Sequence, residues 1–230
     1  MFKNVTIIVD GVLCPIQRHV NTRLEEICFS GKNLRNCYNY QAVTSAARGK
    51  FVNWYGPSPG TFNDLQVLHM SGLADQVEAW EVVLGDKIYS SSAEPITMLT
   101  PVPRTRGALT LRQQVWNNLV GSVRCGIECA LGRLKRMKIL CESPHLHTAR
   151  SHQEFFFIAL NFANIDIDLH PLRGYGPPST LTECPLGPVL ELDNIRLLSK
   201  IAARERWRRN VRAPFLHLLP RSRRSPHICR

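Results

Sequence analysis

The chain has 230 residues, of which 44% are apolar, enough for one sizeable core in a single large domain or in a domain with a tail. Its formal charge of +11 favours a polyanionic partner. No apolar stretch approaches a membrane span, the opening MFKNVTIIVDG is too short in apolar residues for a secretory signal, and the eight cysteines form neither a CxxC pair nor a zinc spacing, so an intracellular protein with cysteines mostly in its core is expected.

Val5 to Val9 is a continuous β-branched run closed by Asp10-Gly11. That is the pattern of a buried central strand ending in an acid, and an Asp-Gly turn is the plainer reading of the same pair. Residues 17 to 37 are polar, with a turn at Ser30-Gly31-Lys32. Tyr38 to Ser45 and Lys50 to Tyr55 flank a turn at Gly49 and predict an antiparallel hairpin. Gly56-Pro57-Ser58-Pro59-Gly60 is read as a break. After it, Thr61 or Asn63 can cap a short helix from Asp64 to Met70, with Asp64 in the first turn. There an acid also compensates the helix dipole. Val82 to Leu84 is a short strand running into Gly85-Asp86, which repeats the arrangement at Asp10. Residues 91 to 107 read as loop with a short strand at Ile96 to Leu99.

A helix starts near Leu109-Thr110 and either continues into the next stretch or breaks at Gly121. Arg124 to Lys138 (RCGIECALGRLKRMK) has the pattern of one amphipathic helix: Ile127, Leu131 and Leu134 make an apolar stripe that Val123 and Ala130 extend. Its single acid, Glu128, lies among Arg124, Arg133, Lys135, Arg136 and Lys138. Arg124 and Glu128 are one turn apart and can pair; in isolation this reads as a surface ion pair. Ala149 to Ala163 is a further helix, apolar enough on most sides to be largely buried. Residues 170 to 188 are rich in Pro and Gly and mark a domain boundary, giving a domain at 1–170 and a linker and basic tail at 171–230, with helical character at 189–212. From Arg204 to Arg230 the tail carries nine arginines against one acid, Glu205. The order of elements predicts a mixed α/β sheet flanked by helices, with acids gathered at one end of the sheet.

The segments VDG at 9–11, PGTFND at 59–64, GDKIY at 85–89 and RCGIECALGRLK at 124–135, with Asn117 and the helix at 149–164, resemble the DDE-superfamily endonuclease domain of Harbinger-type transposases and their insertion-sequence relatives. The resemblance covers residues 3 to 165 and implies a ribonuclease-H-like fold whose clustered carboxylates bind two divalent metals, Mg²⁺ or Mn²⁺. It implies that Asp10, Asp86 and Glu128 are the catalytic triad and that Asp64 is a further metal ligand. Arg124 and Lys135 match an R-x3-E-x6-K pattern whose basic residues hold DNA, with Arg133 and Arg136 beside them. Two positions depart from the family: Ile88 stands where Gly is usual, a poor choice if the backbone there needs positive φ, and Gly121 stands where the insertion-sequence pattern has Tyr. The chain starts almost at the first strand, where such transposases carry a helix-turn-helix region. That implies a shortened copy or reliance on a separate DNA-binding protein. A DNA partner implies a nuclear location if the source is eukaryotic. The expected function is metal-dependent cutting of DNA; the alternative is a catalytically decayed protein that keeps the fold for DNA binding or interaction.

Overall fold

The strand β1, Val5–Pro15, is the axis of the sheet, with β3, Arg35–Ser45, antiparallel on one side and β5, Val82–Leu84, parallel on the other. The computed structural model describes residues 2–18, 21–90, 96–104, 108–141 and 148–172. The domain boundary expected at 170–188 and the basic tail therefore fall almost wholly outside the described residues. Ile8 and Val9 are both fully buried although they face opposite sides, because helices cover both faces of the sheet.

β1 does not stop at Asp10. It runs on to Pro15, with Asp10 opposite Ala42 and Gly11 opposite Gln41. Beyond Gly11 the burial of Val12 and Cys14 alternates with more open positions, a period of two that keeps the ladder going and removes the turn reading. The predicted hairpin is present: β3 turns at residues 46–50 into β4, Phe51–Pro59. β4 also passes through Gly56 and Pro57, where a break was expected. Among the described residues it is an edge strand paired to β3 alone, and a register shift between Asn39 and Gln41 absorbs the irregularity. The polar stretch after β1 contains two elements the pattern did not announce. These are α1, Thr22–Cys28, capped by the Asn21 side chain, and β2, Phe29–Ser30, paired to the start of β3.

Between β4 and β5 lies α2, Asp64–Met70, capped by Asn63 in a reciprocal box with Gln66. β6, Met98–Leu99, pairs parallel to β5 and completes a mixed sheet ordered β2-β3-β1-β5-β6, with β4 on β3. One face packs Val9, Val43 and Val83 against Leu68 of α2, Leu73 and Tyr89. The other face packs Ile8, Val12, Tyr40 and Leu84 against α3, Leu111–Leu134, and α5, Ala149–Leu169.

α3 is continuous through Gly121 and buries the expected stripe of Ile127, Ala130, Leu131 and Leu134. It ends at Leu134, short of the Lys138 read from the pattern. Lys135 is the C-cap, the next backbone bonds tighten to Arg136 N–H→Arg133 and Met137 N–H→Leu134, and a short helix α4, Lys138–Cys141, follows. α5 extends beyond Ala163 to Leu169 and buries one face, not most of its circumference: Phe156, Ala159, Leu160 and Ala163 are inside, whereas Ile158, Phe162, Ile165 and Leu169 are exposed.

Side chains lock both helices to the sheet. The Tyr40 ring stacks on Phe156 at 3.9 Å, and its hydroxyl shares a 2.7 Å hydrogen bond with His152 Nδ1. Asn164 bonds both backbone groups of Phe51, and Asn117 bonds both of Val102. Cys14, Cys28 and Cys37 are buried as expected; Cys125 and Cys129 are exposed on α3.

A candidate active site of carboxylates around one arginine

In the parallel pair of β1 and β5, Ile8 stands opposite Leu84 in the last paired rung. Two residues further along each strand direction come Asp10 and Asp86, so the parallel register brings two acids to the same level and the same face. Each is fixed locally. Asp10 Oδ1 accepts the Gly11 N–H at 2.9 Å, and Asp86 Oδ1 accepts the Lys87 N–H at 2.6 Å.

α3 passes over that face, and its stripe of Ile127, Leu131 and Leu134 sets its rotation. Arg124 thereby points into the acids. Its Nη2 lies 3.4 Å from Asp10 Oδ2 and 3.6 Å from Glu128 Oε1, and its Nη1 lies 3.7 Å from Asp86 Oδ1. Arg124 is only 14% exposed, so this is not the surface ion pair that the spacing alone suggests. One guanidinium is shared by carboxylates from β1, from the end of β5 and from α3.

Asp64 approaches from the opposite layer. It occupies the first turn of α2, where its Oδ1 accepts a hydrogen bond from Asn39 Nδ2 at 3.3 Å while the same Nδ2 donates to the Phe62 carbonyl at 2.9 Å. Its carboxylate rests on Gly11: a Cβ at that position would come within 2.6 Å of Asp64 Cγ and nearer still to Oδ1. The approach requires a residue without a side chain.

Burial pushes the Asp10 carboxyl above its ordinary value. Arg124 and the Gly11 amide act against this, and the neighbouring charges of Asp64 and Asp86 add to it. Four acids and one guanidinium leave the cluster with excess negative charge. Among the described residues no three carboxylates are already arranged as a cage for a cation, and Arg124 pairs with Asp10, Asp86 and Glu128. The chemistry of the donor set nevertheless fits a hard divalent cation, since it is all carboxylate oxygen, and the Tyr89 hydroxyl is a buried polar atom that lacks a hydrogen-bond partner among the described residues.

The basic residues expected at the site separate into three environments. Arg124 faces the acids. Arg133 is tied to α5 through the Asp166 carbonyl at 2.9 Å and its Oδ2 at 3.0 Å. Lys135 and Arg136 are exposed beyond the end of α3, and Lys135 lies about 16 Å along the helix direction from Arg124 at 1.5 Å per residue. Ile88 sits in a 3-10 turn, Lys87–Ser90, and does not have positive φ, so the departure from Gly costs no backbone strain.

Sequence reasoning gave no role to Asn39, Gly11 or Tyr89. Asn39 falls in the stretch Tyr38 to Ser45, read only as one arm of a hairpin, and it is buried beneath the start of α2. Gly11 reads as a turn glycine, and its proximity to Asp64 depends on a contact 53 positions away in the chain.

A family model described as DDE superfamily endonuclease matches residues 9–164, more than half of the chain. No curated protein and no solved structure matches it.

Proposed function

Because the chain belongs to the DDE superfamily endonuclease family, we propose that it is a transposase-derived nuclease domain of the Harbinger type, with a ribonuclease-H-like fold, that cuts DNA with divalent metal ions. The observation that carries this reading is the meeting of Asp10, Asp86 and Glu128, from three separate elements, on the one guanidinium of Arg124. Structural ion pairs seldom need three acids from three separate elements around one largely buried cation with a fourth, Asp64, held beside them. The mixed sheet order supports the fold assignment.

Two Mg²⁺ or Mn²⁺ ions held by Asp10, Asp64, Asp86 and Glu128 would supply an activated water and neutralise the leaving oxygen. Asp10 and Asp86 hold the floor of that site from adjacent strands. Glu128, 59% exposed, closes it from the side open to a large substrate. Asp64 is oriented by Asn39 and by its seat on Gly11. Arg124 compensates the acids, and with cations held by them its guanidinium would be free to face the phosphate of the bond to be cut. Lys135 and Arg136 hold the DNA backbone about three helical turns away without reading sequence. Arg133, engaged with Asp166, acts on DNA through its field.

The cluster is also self-compensated, since Arg124 serves three acids at once, and this favours a second reading in which the fold is retained for DNA binding without catalysis. Nicking of supercoiled plasmid in Mg²⁺ or Mn²⁺ separates the two. Nuclease function predicts nicking by the parent protein and none by Asp86→Asn. Plasmid binding by both without nicking by either would establish the second reading.

A further inference from the structure

Tyr89 lies at the boundary of the acid cluster and the core, and its hydroxyl is a buried donor with no partner among the described residues. The residue is 1% exposed. A phenol left without a hydrogen bond in the interior costs free energy, so a Phe would serve the core better unless the oxygen is used. The ring is held firmly: the Tyr89 N–H bonds the Asp86 carbonyl at 3.0 Å, and the ring edge packs so closely on Gly85 that a Cβ there would lie 2.7 Å from Tyr89 Cδ2. Gly85 and the 3-10 turn after Asp86 thus fix the direction of the phenol. Burial pushes the Tyr89 phenol well above its ordinary value; the charges of Asp64, Asp10 and Asp86 push it the same way, and Arg124 acts against them. It arrives from the α2 layer, opposite to Arg124.

We infer that Tyr89 is a positioning residue whose hydroxyl donates a hydrogen bond to a hydration water that a divalent cation brings between Asp10, Asp64 and Asp86. The inference rests on the metal-dependent reading of the site and adds to it a donor from a neutral side chain. A neutral donor suits that place, because it orients a water without repelling the cation, as a second Arg or Lys would.

The test is Tyr89→Phe, which keeps the ring on Gly85 and removes one oxygen. Two quantities are measured on the full chain: the melting temperature in EDTA and the affinity for Mn²⁺ by calorimetry, without DNA. The expected result is a melting temperature equal to or above that of the parent, because an unpartnered polar atom has gone, with Mn²⁺ affinity several-fold weaker. Equal Mn²⁺ affinity in parent and Y89F overturns the inference and leaves the metal site standing. A lower melting temperature for Y89F in EDTA also overturns it, since the hydroxyl would then have its partner within the fold. A parent protein that takes up no Mn²⁺ overturns both the inference and the reading on which it rests.

Discussion

Gly11 and Asp64 meet across the sheet: the carboxylate at the start of α2 occupies the space that a side chain on β1 would fill. The first strand therefore contributes twice to the same place, by projecting Asp10 toward α3 and by leaving room for Asp64 on its other face. Gly11→Ala should displace the first turn of α2 and cost roughly 1–3 kcal/mol of stability, as overpacking does. Mn²⁺ affinity should fall with it. A G11A protein with unchanged urea unfolding and unchanged Mn²⁺ titration would show that the contact is unimportant.

Arg124 is the counter-ion of the cluster. Arg124→Met removes it and leaves Asp10, Asp86 and Glu128 facing one another, a loss of roughly 1–3 kcal/mol for charged groups deprived of their partner. The deficit should appear in EDTA and shrink when Mg²⁺ or Mn²⁺ is added, because a cation does the same electrostatic work. Thermal melts of the parent and R124M with and without metal check this. A deficit of equal size in both conditions would mean that Arg124 stabilises the fold independently of the acids.

Glu128 stands on a helix whose rotation is set by buried Ile127, Leu131 and Leu134, so Glu128→Gln alters charge without moving the backbone. Glu128 itself is 59% exposed, and Arg124 keeps Asp10 and Asp86 as partners, so the change should cost about 1 kcal/mol at most. Mn²⁺ affinity should fall markedly and DNA affinity should stay level or rise, because repulsion from phosphate is reduced. Calorimetry against Mn²⁺ and a DNA-binding titration measure the two. Unchanged Mn²⁺ binding in E128Q would assign this acid to the surface alone.

The junction of α3 and α5 has its own pH dependence. Asp166 is held below the ordinary carboxylate range, first by its hydrogen bond with His170 and also by Arg133. A lowered carboxyl pKa contributes stability that is present above its unfolded value near 3.8 and is lost as pH falls through the lower folded value. The parent should therefore be more stable than Asp166→Asn at pH 7, and the difference should close only below about pH 4. Urea unfolding from pH 7 to pH 2 reads this directly; a difference that persists at pH 2 contradicts it.

Much of the fold is readable from local pattern. The strand at Val82–Leu84, the hairpin, the capped helix at Asp64 and the apolar stripe of α3 each follow from periodicity or capping chemistry within a few residues. The departures have local causes that context overrides. Asp10-Gly11 has turn composition, but its antiparallel pairing with Ala42 and Gln41 of β3 keeps it in the ladder. Gly56 and Pro57 are tolerated because β4 is an edge. α3 ends at Leu134 although cations continue the helical composition to Lys138. At the candidate site, Asp64 starts α2 and Asp86 follows β5 as read from the pattern, but Asp10 lies within β1, not at its end, and the cation shared by Asp10, Asp86 and Glu128 has no local signature. Only the parallel register of Ile8 with Leu84 and the rotation of α3 make Arg124 the neighbour of Asp10 and Asp86 as well as of Glu128. The supports Asn39 and Gly11 depend on contacts with Asp64 in a distant segment and carry no local signal.

The central claim is that these carboxylates hold cations in place of Arg124. The most direct measurement is anomalous diffraction from crystals of the protein soaked in Mn²⁺. The account predicts peaks among Asp10, Asp64, Asp86 and Glu128, two of them about 3.5–4 Å apart when both sites fill, with the Arg124 guanidinium withdrawn from at least one acid. Absence of any peak there at millimolar Mn²⁺, with Arg124 still bound to Asp10, Asp86 and Glu128, would contradict it.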